Sequence, residues 1–167
     1  MQVTVSSRLK LDADTVWDAA KRSKTLGYVL RGLLHYRTPM SLPRVWRAGQ
    51  TVRLRFYLLG MIPWLSQTIH LIRVDERRRE IWTEAASEVL VHWRHVLKVE
   101  AIDEQRCRVT DRIDFHAAGL TLPVWFAAHL LYRHRHRRWK RLVRQIRRAR
   151  RRGEQSPLNT PVAERTN

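Results

Sequence analysis

Acid, cysteine, glycine and long apolar runs are all scarce in this chain of 167 residues, and each shortage excludes something. A single cysteine, Cys107, leaves no internal disulfide and fits a reducing cytoplasm. Six scattered glycines provide no phosphate-cradling loop, and no Gly-x-Ser-x-Gly elbow is present to carry a nucleophilic serine. Neither Cys-x-x-Cys nor His-Glu-x-x-His occurs, so no metal or other cofactor is expected. Two stretches lack Lys, Arg, Asp and Glu, residues 56–72 and 115–132. Each is interrupted by Gly and Pro and falls short of the roughly twenty apolar residues of a membrane-spanning helix. The N-terminus has neither the basic nor the apolar region of a signal peptide. The shortage of acid has the largest effect: 15 Asp and Glu against 33 Lys and Arg give a net charge of +18.

That charge invites a nucleic-acid or anionic-membrane partner. Twelve of the cations fall within residues 133–152, which hold no acid. Arginine outnumbers lysine 28 to 5, a bias that a GC-rich coding sequence produces as readily as a binding surface does. A solvated basic face is the first reading, and a polyanion site on Arg137, Lys140, Arg144, Arg147 and Arg148 the second. With 44% hydrophobic residues, the chain reads as one domain over residues 1–150 and a polar, Pro-containing, disordered tail over 151–167.

Residues 2–11 alternate as a half-buried strand, with Val3, Val5, Ser7, Leu9 and Leu11 on one face. Asp12 or Asp14 caps a short helix to about Arg22, with Val16, Trp17 and Ala20 inward. A second short helix, about residues 23–30, ends at Gly32. After a short strand at 33–37 and a loop, residues 51–58 alternate with Val52, Leu54, Phe56 and Leu58 inward. Gly60-Met-Ile-Pro-Trp64 reads as a turn. Strands then follow at about 65–74, 80–87, 89–101 and 106–117, with hairpin-length joins.

The last element starts near Leu122, where Pro123 suits a first helical turn, and no Gly or Pro interrupts it before Gly153. At 100° per residue, Val124, Ala128, Leu131, Tyr132, Arg135, Trp139, Leu142 and Ile146 share one face. Arg135 is the one cation on that stripe. Either its stem is buried and its guanidinium wet, or it meets an acid inside. His129 and His136 are placed on the arginine face, without a carboxylate. Strand meander plus segregated helices is an α+β arrangement with the terminal helix on one sheet face. One helix, about 10–12 Å across, cannot cover the concave face of a six- or seven-stranded sheet, and the remainder becomes a cavity.

Five features carry a family resemblance. They are Asp14-Thr-Val-Trp17 opening a helix after the first strand, the Trp46…Gly49 step, Trp93-Arg-His95, Thr110-Asp-Arg-Ile-Asp-Phe115 followed by Ala118-Gly119, and the final Tyr132-Arg-His-Arg135 helix. Together, over residues 2–145, they resemble the START-like, or SRPBCC, superfamily, which includes polyketide cyclase/dehydrase and plant-pollen-allergen folds. The resemblance implies a helix-grip fold: a seven-stranded curved antiparallel sheet wrapped around a long C-terminal helix, with two short helices after the first strand. It also implies a ligand tunnel for lipids, polyketides, hormones or aromatic intermediates. A minority of such proteins are enzymes, so the fold does not decide the function.

Alternation puts Val89, Val91, Trp93, His95, Leu97 and Val99 on one inward face, and Cys107, Val109, Asp111, Ile113 and Phe115 on the next. A hairpin turn at 103–105 sets His95 across from Ile113 and diagonal to Asp111. With Arg135, an acid, an imidazole and a guanidinium then converge in an apolar interior. The simplest account is a structural ion-pair network; the alternatives are a polar anchor at the end of a ligand cavity, or a cyclase-type acid/base pair of His95 and Asp111. Candidate ligand contacts are Trp64, Trp93, His95, Asp111, Phe115, Tyr132 and Arg135, although aromatics in such numbers are commonly core. His92 and His95 point to opposite faces and cannot share a metal, and Cys107 reads as core. The expected function is binding of a hydrophobic small molecule or lipid. The alternatives are a cyclase/dehydratase using the same cavity, or a basic module for nucleic acid or anionic membrane. The oligomeric state stays open.

Overall fold

The structure, a computed structural model, describes residues 1–87, 90–117 and 120–154. In chain order the elements are β1 (Gln2–Leu9), α1 (Ala13–Lys21), α2 (Ser23–Leu30), β2 (Leu34–Arg37), β3 (Thr51–Leu58), β4 (Ile62–Asp75), β5 (Glu80–Ala86), β6 (Leu90–Asp103), β7 (Arg106–Ala117) and α3 (Thr121–Arg151). The strands form one seven-stranded antiparallel sheet in the order β1-β7-β6-β5-β4-β3-β2. This is the helix-grip architecture: a curled sheet, a long C-terminal helix and two short helices after the first strand.

Local chemistry accounts for most boundaries. Asp12 Oδ1 accepts from the Thr15 backbone N–H at 2.8 Å and caps α1. Ala13, Val16, Trp17, Ala19 and Ala20 are that helix's buried side. Arg22 is extended (φ −84°, ψ 129°) and separates α1 from α2. Gly32 takes φ +94° just after α2, a conformation that a side chain disfavours.

The turn expected at residues 60–64 is shorter than the sequence suggested. Leu58 already pairs with Ile62, and the reversal uses positive φ at Leu59 and Gly60. Pro63 sits inside β4 because the ladder shifts register between Phe56 and Tyr57, a bulge that spares the missing N–H. The strand expected to start at Val89 is described from Leu90 and continues to Asp103. Val89 itself, the Ala118-Gly119 step and tail residues 155–167 lie outside the described residues, as do the side chains of Ala86, Leu90 and Val91.

The expected register between the last two strands holds, with His95 opposite Ile113 and Leu97 opposite Asp111. α3 rests on β1 and β7 and packs sideways against α2. Its expected stripe is buried at Ala128, Tyr132, Arg135, Trp139, Leu142 and Ile146 and half-buried at Val124 and Leu131. The buried arc is wider than the stripe. His136 and Val143 are buried as well, because sheet and α2 enclose the helix from two sides. His136 therefore leaves the arginine face on which periodicity placed it.

Buried side chains fall into two clusters. The larger joins α1, α2 and the second half of α3 (Val16, Val29, Trp139, Leu142, Ile146) to Leu54, Val99 and Val109 of the sheet. The smaller sets Ala128 and Tyr132 of α3 against Val3, Ile113 and Phe115. Among the described residues no helix is long and apolar enough to cross a membrane.

Candidate ligand site

Because α3 lies over β1 and β7, part of the concave face formed by β3 to β6 has no helix directly upon it. A cavity of about 530 Å³ occupies that space. Its walls are Val52, Phe56 and Leu58 of β3, Leu65, Ile69 and Leu71 of β4, Ile81 and Ala85 of β5, and Trp93 and Leu97 of β6. α2 contributes Leu26, Val29 and Leu30, and α3 contributes Val124, Ala127, Ala128 and Leu131. Trp64 is half-exposed at the rim, as are Leu120 and Leu130 of the helix side, which also reach both cavity and solvent.

One group of polar side chains stands where β6 faces the middle of α3; Thr25, Gln67 and Thr83 are spread over the rest of the wall. His95, Tyr132, Arg135 and Trp139 all line the cavity there. The His95 and Tyr132 rings are 5.2 Å apart, and the Arg135 guanidinium lies 4.9 Å from the centre of the Tyr132 ring. Asp111 sits behind this wall, fully buried, and does not line the cavity. Its Oδ1 is 2.7 Å from His95 Nε2 and 3.7 Å from Arg135 Nη2. Its Oδ2 is 3.1 Å from His136 Nε2, close enough to pair but not aligned as a hydrogen bond. The sequence expectation that Asp111, His95 and Arg135 converge is met. The carboxylate, however, is the hub of the group and not its cavity-facing member.

Electrostatics follow from that arrangement. Burial by itself would raise the Asp111 pKa, but Arg135, His136 and His95 together hold it well below the ordinary 3.8. Burial pushes His95 below its ordinary 6.5, outweighing the opposite pull of Asp111, and Arg135 and His136 add to the lowering. Burial also raises the Tyr132 hydroxyl, keeping it protonated. Cys107 is fully buried and raised to about 11, chiefly by burial, so it is a core thiol. Among the described residues no three His, Cys, Asp or Glu side chains are grouped to hold a metal ion.

The remaining candidates divide. Trp93 lines the cavity, and its ring is 5.4 Å from that of Phe115, which is buried behind the wall. Trp17 is turned elsewhere, its indole N–H donating to Glu76 Oε2 at 2.6 Å. Trp125 is packed edge-on against His129, with ring centroids 4.3 Å apart. Arg137, Lys140, Arg144 and Arg148 are exposed on the outer side of α3, and Arg147 is half-exposed. Other cations of the same helix are structural: Arg138 Nε donates to the Tyr28 carbonyl at 3.1 Å, and Arg150 Nη1 is 3.1 Å from Asp12 Oδ2.

Two site residues escaped the sequence. His136 was hidden by treating the helix as having a single contact surface. Trp139 is visible on the stripe but not among the candidate ligand contacts, and no pattern in the sequence reports whether an indole N–H finds an acceptor.

The same fold occurs in solved structures of low sequence identity. Norcoclaurine synthase from Thalictrum flavum, in complex with dopamine and hydroxybenzaldehyde, superposes with a TM-score of 0.63 at 12% identity over 86% of each chain. Protein CV1439 from Chromobacterium violaceum gives 0.68 at 10% identity, covering 85% of this chain and 96% of that one. The di-domain ARO/CYC BexL of the BE-7585A biosynthetic pathway gives 0.67 at 13% identity, covering 88% of this chain and 47% of that one. These identities establish shared architecture and nothing about chemistry. No curated protein matches the chain in sequence at a significant level. A family model does, over residues 7–143, and by that match the chain belongs to the family described as Domain of unknown function (DUF8410).

Proposed function

We propose that this protein binds an apolar small molecule or lipid between its sheet and α3. The observation that carries this reading is the cavity of about 530 Å³, walled mainly by aliphatic and aromatic side chains with a small number of polar ones. That volume lies within the range of about 300–1,000 Å³ usual for small-molecule sites, and the mix of apolar wall and few polar groups is the usual one. The small molecules in the norcoclaurine synthase complex agree with a small-molecule partner. Denaturing mass spectrometry of organic extracts from freshly purified protein tests the reading. A stoichiometric apolar species is expected; an empty extract, together with no uptake of an added apolar fluorophore, sinks it.

A cyclase or dehydratase using the same cavity is the second reading, favoured by one contact. His95 lies on the cavity wall with a buried carboxylate 2.7 Å behind its Nε2, an arrangement that orients an imidazole for proton transfer. Turnover of a supplied polyketide, abolished in His95→Gln, would favour the enzyme over the carrier. The outer side of α3 supports a lesser, additional role. Exposed Leu122, Phe126 and Leu130 continue at helical spacing into exposed Arg133, Arg137 and Lys140. An apolar stretch running into a basic one suits an anionic lipid surface better than nucleic acid. Flotation with vesicles containing phosphatidylserine should show salt-sensitive binding, and double-stranded DNA should compete weakly. Strong competition by DNA would reverse that preference.

A further inference from the structure

We infer that the mouth of the cavity is a seat for an anionic lipid bilayer, formed jointly by the tip of the β3–β4 hairpin and the first turns of α3, so that the ligand enters from the membrane. The inference rests on the two readings above, an apolar ligand in the cavity and a lipid surface outside α3, and assigns the place where they meet.

Exposed apolar side chains are concentrated at that mouth. Of the fourteen large hydrophobic residues exposed among the described residues, nine fall in two short stretches. The hairpin tip shows Leu59, Met61, Ile62 and Trp64, with Met61 79% exposed. The start of α3 shows Leu120, Leu122, Trp125, Phe126 and Leu130, with Phe126 69% exposed. Single exposed hydrophobics are ordinary, whereas a group of them marks an interaction surface.

Backbone contacts bring the two stretches to one place. The Leu59 N–H donates to the Leu33 carbonyl at 2.9 Å, and His134 Nε2 of α3 lies 3.1 Å from the Arg31 carbonyl. Hairpin tip and helix therefore both hold the loop between α2 and β2. Trp64, Leu120 and Leu130 line the cavity while remaining exposed, so the patch frames an opening. An apolar molecule passing from a bilayer through that opening stays against hydrocarbon and avoids water.

Charge chooses the occupant. Residues 19–74 and 115–153 supply α2, β2, β3, α3 and all but the last residue of β4. They carry ten and twelve Lys and Arg respectively, and no acid. Arg31 and Arg133 are exposed beside the patch. Acids stand at the other end of the sheet, with Asp75, Glu76 and Glu80 around the β4–β5 turn and Glu100, Asp103 and Glu104 around the β6–β7 turn. Apolar side chains flanked by cations suit insertion among anionic headgroups. A second copy of the chain, docked face to face, would set cation against cation.

Met61→Glu on the hairpin and Phe126→Glu on the helix test this in the full-length protein. Ile102→Glu, at the opposite end of the sheet, makes the same change of charge as a control. All three positions are exposed and none lines the cavity, so folding and the interior should be unaffected. Wild type and control should bind vesicles of phosphatidylcholine and phosphatidylserine, and each mouth variant about tenfold or more weakly. Loading of pyrenyl-decanol from those vesicles should slow by about the same factor, while its uptake from a cyclodextrin complex is unchanged. Weakening by Phe126→Glu alone would leave lipid binding to the outside of α3 and overturn the mouth as the seat. Equal weakening by all three variants would reduce the effect to net charge and overturn it too. A wild type that ignores vesicles but self-associates in sedimentation, through contacts that Met61→Glu abolishes, would give the patch to a second copy. No uptake from either source would overturn the ligand-site reading and the loading step together, whatever the vesicles show.

Discussion

The sheet under α3 and the sheet beside it are made from the same alternating strands, yet the first is closed core throughout and the second opens in part into a cavity. On β7, Val109, Asp111 and Ile113 are completely buried, with the helix and β1 laid directly against them. On β4, Leu65, Gln67 and Ile69 point inward by the same alternation and face open space. The difference lies in what stands opposite, since one helix about 10 Å wide covers two or three strands spaced 4.7–4.9 Å apart and no more. Inward-facing is a property of a strand, whereas buried is a property of a strand and its neighbour together.

The comparison is broken most severely at the charge in the closed half. Asp111→Ala should leave Arg135 without its carboxylate and cost about 3–5 kcal/mol in urea denaturation. Asp111→Leu combined with Arg135→Met should recover much of that loss, because no buried charge is then left alone. If both single variants, Asp111→Ala and Arg135→Met, matched wild type, the contact between them would be absent.

Aliphatic truncations should then separate the halves. Leu142→Ala, in the closed core, should cost about 2–5 kcal/mol, and Leu65→Ala, on the cavity wall and outside both core clusters, about 1 kcal/mol or less. Equal costs would mean that the cavity collapses when it is empty. In the opposite direction, Ala85→Leu adds bulk where space exists. Stability should stay within about 1 kcal/mol of wild type while uptake of an apolar fluorophore falls sharply.

Acid should act next. His95 is depressed below 6.5 by burial, so below pH 6.5 the unfolded chain takes up a proton that the folded one resists. Stability therefore declines as pH falls from 6.5 towards the folded-state value, and Asp111 adds its own loss only below 3.8. His95→Gln should flatten the first part of that decline, as measured by melting temperature against pH. The smallest effect belongs to the outer side of α3. Replacing Arg137, Lys140, Arg144 and Arg148 with Gln should change stability by about 0.5 kcal/mol or less, since all four are exposed.

Much of this was readable from the chain. Alternation fixed which faces of β3, β6 and β7 point inward, and counting through the short turn paired His95 with Ile113 correctly. Local signals do not report what lies opposite. Asp111 and His95 share an inward orientation, but only the position of α3 decides that one backs the wall and the other faces the cavity. Pro63 reads as a turn residue, and only the bulge at the neighbouring Trp64 makes room for it in a strand. His136 was misplaced for a related reason, since periodicity measures one stripe and this helix is held from two directions.

The pairing of β1 with β7 also has a consequence for how the chain acquires its shape. Gln2 finds its ladder partner in Asp114, and Leu9 in Cys107, so the first strand is completed by the last. At roughly 5–20 residues per second of synthesis, about a hundred intervening residues represent some 5–20 s in which Val3, Val5 and Leu9 have no sheet to join. Contacts of such separation come late and slowly. The helix that rests on β1 and β7 needs that seam before it can dock, so the cavity beside it is among the last features of the molecule to form.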